Sequence, residues 1–136
     1  MTPRRVLVPV LVAAVVVAVV LLAPRPGTGA PVVLEAATQR HAVRLTIDTG
    51  DTGTGTWLVE VTDPAGGPVA AERVTVAPAM PQMGHAIAPS TATAEAPGRY
   101  RVAGARLPMP GQWVLTVTVR AAGTEERVTF PVRIAP

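Results

Sequence analysis

The chain has 136 residues, of which 49% are hydrophobic and 15% are charged, which excludes intrinsic disorder over most of its length. It contains no cysteine and no lysine, so disulfides, zinc–thiolate sites, thiol nucleophiles and Schiff bases are excluded. The formal net charge of +3 comes from Arg4, Arg5 and Arg25. Beyond residue 30 arginines and acidic residues are equal in number, so no nucleic acid is expected as a partner.

The first predicted element is an apolar N-terminal segment. Residues 6–23 carry no charge and follow Arg4 and Arg5, a pattern typical of one membrane-spanning helix with a cytoplasmic N-terminus. A cleaved signal peptide is the alternative, with small residues before a cut after Ala30. Pro31 directly after that cut disfavours cleavage, so we favour the uncleaved anchor.

Three parts are predicted along the chain. We expect a transmembrane anchor or signal segment over 1–23, a linker over 24–39 and a folded domain over 40–136. Residues 24–31 are rich in proline and glycine, which is typical of a short, semi-stiff spacer. The folded domain is expected outside the cytoplasm, tethered to the cell membrane by a single span or, in the alternative, secreted.

The predicted folded domain consists of short runs in which apolar and polar residues alternate with a period of two. Trp57, Val59 and Val61 share one face of such a run, and glycine- and proline-rich breaks such as 63–68 mark turns. About seven strands and no helix are predicted here, which is typical of an immunoglobulin-like antiparallel β-sandwich. The predicted core consists of alternating apolar residues: Leu45, Trp57, Val59, Val61, Val74, Val76, Tyr100, Leu115, Val117, Phe130 and Val132.

The segment 78–85 is unusual for either a strand or a turn. It contains Met80, Met83 and His85, and Met109 lies in a second proline-rich segment. Thioether sulfur is a soft, neutral ligand that binds Cu(I) well and binds Zn²⁺, Ca²⁺ and Mg²⁺ poorly. A Met-x-x-Met-x-His spacing at a strand end can bring two sulfurs and one imidazole close together. The pattern therefore predicts a Cu(I) site at Met80, Met83 and His85, with Met109 as the fourth candidate ligand.

The same residues also have a packing interpretation. Met80 continues the alternation of Val76 and fits a core position, while Met83 and Met109 fit as apolar covers over the sandwich. His85 then fits as a solvated turn residue. In this alternative the protein is a structural or adaptor domain, and the two segments form a hydrophobic docking surface for a membrane protein complex.

Residues 57–134 resemble the YtkA-like domain family, which is related to FixH-like proteins. The resemblance rests on residues 61–69, 80–85, 97–100 and 107–115, which match in order and spacing as well as in residue type. It implies a membrane-anchored or exported immunoglobulin-like domain that binds copper, with copper-handling or oxidase-assembly proteins as partners. Carried over by position, the implied copper ligands are Met80, Met83, His85 and Met109.

The other residues capable of chemistry fit structural roles better. His41 is far along the chain from the methionines, and Asp48 and Asp51 lack the ligand series of a calcium loop. Ser90 is the only serine and has no nucleophile motif around it. Trp113 has the strand parity of a core residue, although its ring could also stack on a metal or a partner. No catalytic constellation is present, so the protein is not expected to be an enzyme.

Overall fold

The computed structural model describes residues 31–48 and 54–136, which form an all-β structure. A three-residue 3-10 turn, Pro81–Met83, joins the fourth strand to the fifth. The strands are, in chain order, β1 (Val32–Ala37), β2 (Ala42–Ile47), β3 (Thr54–Thr62), β4 (Arg73–Met80), β5 (His85–Ala86), β6 (Ser90–Thr91), β7 (Thr93–Ala96), β8 (Arg99–Arg106), β9 (Gly111–Ala121) and β10 (Thr124–Ile134).

The strands form two antiparallel sheets. The first sheet has the order β1-β2-β3-β8-β7, and the second has the order β10-β9-β4-β5, with β6 also paired to β4. The prediction of an all-β antiparallel sandwich is confirmed. The described residues form ten strands in place of about seven: β5 and β6 are pairings of only two residues, too short to show an alternation, and β1 lies in the predicted linker.

Strand β1 lies inside the segment for which the sequence predicts a linker, 24–39. It pairs with β2 along its full length, from Val32 opposite Ile47 to Ala37 opposite Ala42. Its sequence, Val-Val-Leu-Glu-Ala-Ala, has apolar residues on both faces, so no period of two marks it as a strand. The inner-facing side chains nevertheless pack against the core: Val32, Leu34 and Ala36.

The core fills the space between the two sheets. Every predicted core residue is buried, and no polar or charged side chain is buried among the residues that the structure describes. Each buried valine or leucine contributes roughly 1.5–3 kcal/mol, so this apolar interior is the main source of stability. The Tyr100 hydroxyl at its margin is satisfied, because it donates to the carbonyl oxygen of Val69 at 2.9 Å and accepts from the N–H of Ala71.

The outer edge of the second sheet is β10. This strand pairs with β9 over eleven residues, from Thr124 opposite Ala121 to Ile134 opposite Gly111. Pro131 lies within the strand, and proline occurs in sheets mainly on such edges because it lacks an N–H for the ladder.

Residues 31–48 and 54–136 include no helix of the length and hydropathy needed to cross a membrane. The predicted anchor over 1–23 lies outside the described residues, and it stays a prediction.

Candidate metal centre

The connection from β4 to β5 is a tight turn at one end of the second sheet. Met80 ends β4 and His85 begins β5, and the two residues lie directly opposite each other in the β4–β5 pair. Gly84 makes the reversal possible, since it has a φ of 60°, a conformation that is strained for residues with a side chain. Its N–H donates to the carbonyl oxygen of Pro81 at 3.1 Å. Residues directly opposite in a pair share one face of the sheet, so Met80 and His85 are side-chain neighbours.

Met80 lies on the buried side of this turn. Its side chain is 4% exposed and belongs to the core. A Cβ added at Gly111 would lie 2.7 Å from the Met80 methyl carbon, so the thioether end packs directly over the first residue of β9. The core position that the alternation with Val76 predicts for Met80 is therefore confirmed.

His85 is an exposed residue whose ring packs against a buried tryptophan. The ring centroids of His85 and Trp113 lie 6.1 Å apart with an interplanar angle of 74°, an edge-to-face arrangement. Trp113 is fully buried, as its strand parity predicts, and its indole N–H donates to the carbonyl oxygen of Met109 at 2.9 Å. Trp113 thus connects the β4–β5 turn to the β8–β9 loop.

Met83 and Met109 have different environments. Met83 is 66% exposed, so it does not fill a gap in the core. Met109 is partly buried and packs against the core from the β8–β9 loop. The side-chain amide of Gln82 donates to the carbonyl oxygen of Gln112 at 2.8 Å, which ties the turn to the start of β9.

The structure brings all four predicted ligands to the same end of the second sheet. Met80 and His85 meet through strand register, Met83 lies between them in the turn, and Met109 is joined to His85 through Trp113. Within 31–48 and 54–136, no group of three or more histidine, cysteine, aspartate or glutamate side chains could hold a metal ion. Thioether sulfurs, the ligands that Cu(I) prefers, are outside that class.

The comparison with protein families agrees with the motifs found in the sequence. The model of YtkA-like domains matches residues 35–118, which is more than half of the chain. The chain belongs to the YtkA-like family. The YtkA-like match runs from within β1 into β9 and includes all four candidate ligands. Neither the curated proteins nor the solved structures give a significant match.

A polar cluster elsewhere in this YtkA-like domain could not be found from the sequence. The Nδ1 atom of His41 lies 2.9 Å from a carboxylate oxygen of Glu126, and the Thr38 hydroxyl donates to the same oxygen. The Nε atom of Arg40 lies 3.9 Å from the other oxygen. His41 therefore has the structural role expected for it. Its partner is far away in the sequence, so no local motif signals the contact.

The surroundings of Glu126 favour its charged form. The hydrogen bond from Thr38 is the largest cause and lowers the pKa of the Glu126 carboxyl below its ordinary value, and His41 and Arg40 add to this effect. Thr38 and His41 lie between β1 and β2, while Glu126 lies on β10. The cluster therefore connects the outer strands of the two sheets.

Proposed function

We propose that this YtkA-like domain binds Cu(I) through Met80, Met83, His85 and Met109, and holds or delivers copper outside the cytoplasm without catalysing a reaction. The β4–β5 turn carries the proposal, because it sets Met80 opposite His85 and leaves Met83 exposed between them. Thioethers and a neutral imidazole add no charge, which suits a soft monovalent cation.

The environments of the ligands give each a distinct part in binding. Met83 and His85 are exposed and meet an incoming ion first, whereas Met80 offers a sulfur from the core side. The Met109 backbone is held by the Trp113 indole, which limits the rearrangement that its side chain needs. Protonated imidazole cannot bind a metal, so copper affinity is expected to fall as the pH is lowered.

The remaining parts of the proposal concern location and partners. The uncharged run over 6–23 would tether the domain to the cell membrane by one span, with secretion as the alternative. A copper-handling or oxidase-assembly protein is the proposed partner, and the relation to FixH-like proteins belongs with this proposal.

We also infer that the sandwich is immunoglobulin-like. Strands β2-β3-β8-β7 of the first sheet face strands β10-β9-β4 of the second, which gives four strands against three. The chain visits the two sheets in the order found in constant-type immunoglobulin domains, with β1 and the short β5 and β6 as additions.

An adaptor function is the second candidate, and the exposure of Met83 favours it. Met83 is one of two large hydrophobic side chains that are exposed in the described part of the chain, and it follows Pro81 in a rigid turn. An exposed apolar side chain on a proline-containing turn suits docking onto a membrane protein complex. In this case Met83 contacts a protein, and no metal is bound.

The deciding experiment is an anaerobic Cu(I) titration of the full-length protein in a neutral detergent against a chromophoric competitor. The parent is compared with the Met83→Leu/His85→Ala variant, and Gln82→Ala is a control that alters the same turn without removing a candidate ligand. We expect affinity to fall at least tenfold in the double variant and to stay within about threefold in the control. Equal affinity in all three proteins, or no binding by the parent, would reject the copper site in favour of the adaptor.

A further inference from the structure

The outward face of the second sheet carries a basic concavity that the proposed copper site does not use. It has a volume of about 380 Å³ and is lined from strands β4, β9 and β10 and from the segment around β6. It lies near the start of β4 at Arg73, whereas Met80 ends that strand. Since Val74 and Val76 point into the core, Arg73 and Thr75 alternate with them on the outer face.

A row of hydroxyl groups forms the floor of the concavity. Thr75 on β4 lies opposite Thr91 on β6 and opposite Thr118 on β9. Thr118 in turn lies opposite Arg127 on β10. Strand register therefore places three hydroxyl donors in line with one guanidinium group.

The arginines of the concavity are incompletely neutralised. Arg73 lies directly opposite Arg120, an arrangement in which two like charges destabilise a strand pair. Arg120 has Glu72 at 3.5 Å, and Glu125, which lines the concavity opposite Arg120, lies 3.1 Å from Arg127. In residues 31–48 and 54–136, Arg73 has no carboxylate within 4.0 Å. Arg73 thus lacks a counter-charge within these residues and lies opposite a second arginine, Arg120.

We propose that this concavity binds a phosphate group between Arg73 and Arg120, with hydroxyls of the threonine row as further donors. A guanidinium group offers paired N–H donors that match the geometry of a tetrahedral oxyanion. The bound anion would also remove the repulsion between the two arginines. The same chemistry is present in free phosphate and in a phospholipid headgroup. Arg120 is 57% exposed, so solvent and salt screen the site, and we expect weak binding that becomes weaker as the ionic strength rises.

Thermal unfolding of the full-length protein in neutral detergent, free of copper, tests the site. Inorganic phosphate is compared with chloride at equal ionic strength. The Arg73→Gln/Arg120→Gln variant removes the site, and the Arg106→Gln/Arg133→Gln control removes the same charge from exposed positions elsewhere. Phosphate should raise the Tm of the parent and the control but not of the site variant, because only folded protein with the site binds it.

The variant also has an expected effect in chloride alone. There its Tm should stay close to that of the parent, since the removed repulsion between Arg73 and Arg120 is offset by the loss of the exposed Arg120–Glu72 ion pair. Equal phosphate effects on the Tm of all three proteins would overturn the proposal.

A second comparison distinguishes the two sources of the phosphate group. The parent is studied in neutral detergent micelles with and without phosphatidylglycerol, in phosphate-free buffer. A rise in Tm with the lipid that is lost in the site variant and kept in the control assigns the site to a lipid headgroup. A rise with inorganic phosphate alone assigns it to the free anion, and the absence of both rises rejects the site.

Discussion

Met80 and Met83 are three residues apart and have opposite environments, since one is 4% exposed and the other 66% exposed. The same substitution therefore has different consequences at the two positions. Removing the Met80 side chain leaves a cavity in the core, whereas removing the Met83 side chain leaves only solvent. Any test of Met80 as a ligand must keep its volume.

Met80→Leu is the substitution that separates ligation from packing. It keeps the volume and apolar character of the side chain, so the free energy of unfolding should change by less than about 1.5 kcal/mol. Met80→Ala should cost about 2–5 kcal/mol, and Met83→Ala should stay within about 0.5 kcal/mol. Urea denaturation measures these differences.

Copper binding by the Met80→Leu variant shows whether the Met80 sulfur is a ligand. The proposed site predicts weaker Cu(I) binding in a variant that unfolds almost like the parent. Unchanged affinity in Met80→Leu would show that this sulfur only fills the core.

At the scale of single elements, two glycines shape the candidate site in different ways. Gly84 has a φ of 60° with open space where a Cβ would lie, whereas Gly111 has a φ of 131° and the Met80 methyl at 2.7 Å from that position. Backbone strain alone acts at Gly84, whereas at Gly111 the added carbon also requires the buried Met80 methyl to shift.

We therefore expect Gly111→Ala to lower the Tm more than Gly84→Ala. Gly123→Ala is the matched control, because Gly123 has a φ of 74° and no atom within 4 Å of the added carbon. Strain in the left-handed region costs about 1–2 kcal/mol, and the control and Gly84→Ala should both lie in this range. Calorimetry of the three variants checks the order, and a Gly111→Ala effect no larger than the control would contradict the close packing of Met80.

The sequence predicts those strands in which apolar and polar residues alternate. Trp57, Val59 and Val61 alternate cleanly with outward residues because one side of their strand meets the core and the other meets solvent. Strand β1 shows no such alternation, since Val33 is apolar although it faces outward on an edge strand. Residues 78–85 were recognisable as unusual because their side chains are specialised, but the pairing of Met80 with His85 depends on the turn geometry at Gly84.

At the scale of the whole molecule, the sheets are connected by more than their shared core. The Thr38, His41 and Glu126 cluster joins the β1–β2 connection to β10, and these residues are too far apart in sequence to be linked by any local pattern. Contacts of this kind depend on the complete arrangement of both sheets, so sequence analysis could not predict them.

The cluster makes the stability of the fold dependent on acidity. The folded-state pKa of Glu126 lies below its ordinary value, so its contribution is fully present above the unfolded-state pKa and is lost as the pH falls through the folded-state pKa. Glu126→Gln and Thr38→Val should therefore lower the free energy of unfolding at neutral pH. Their difference from the parent should shrink in acid.

Urea denaturation at neutral pH and at roughly pH 3, below the ordinary range of carboxyl groups, measures this change. Glu125→Gln is the control, since Glu125 is an exposed neighbour whose ion pair, within the described part of the chain, is with Arg127 alone. A difference between Glu126→Gln and the parent that persists unchanged in acid would disprove the role of the carboxylate charge.

Copper should stabilise the whole domain by mass action. The unfolded chain does not hold Met109 near the residues of the β4–β5 turn, so the proposed site predicts that Cu(I) binds the folded state preferentially. Saturation at about 100 times the dissociation constant corresponds to about 2.7 kcal/mol of added stability. Calorimetry under reducing conditions should show a higher Tm for the parent with Cu(I) and a smaller rise for Met83→Leu/His85→Ala, whose affinity is expected to be lower. An unchanged parent Tm at saturating Cu(I) would favour the adaptor function.

Pro131 on β10 affects how copies of the protein behave at high local concentration. An eleven-residue edge strand is long enough to template the addition of a strand from another copy of the protein. Pro131 interrupts the row of donors along that edge, and Arg127 and Arg133 add charged side chains to the same strand. Copies held at high local density should therefore remain separate and resist fibril growth through this edge.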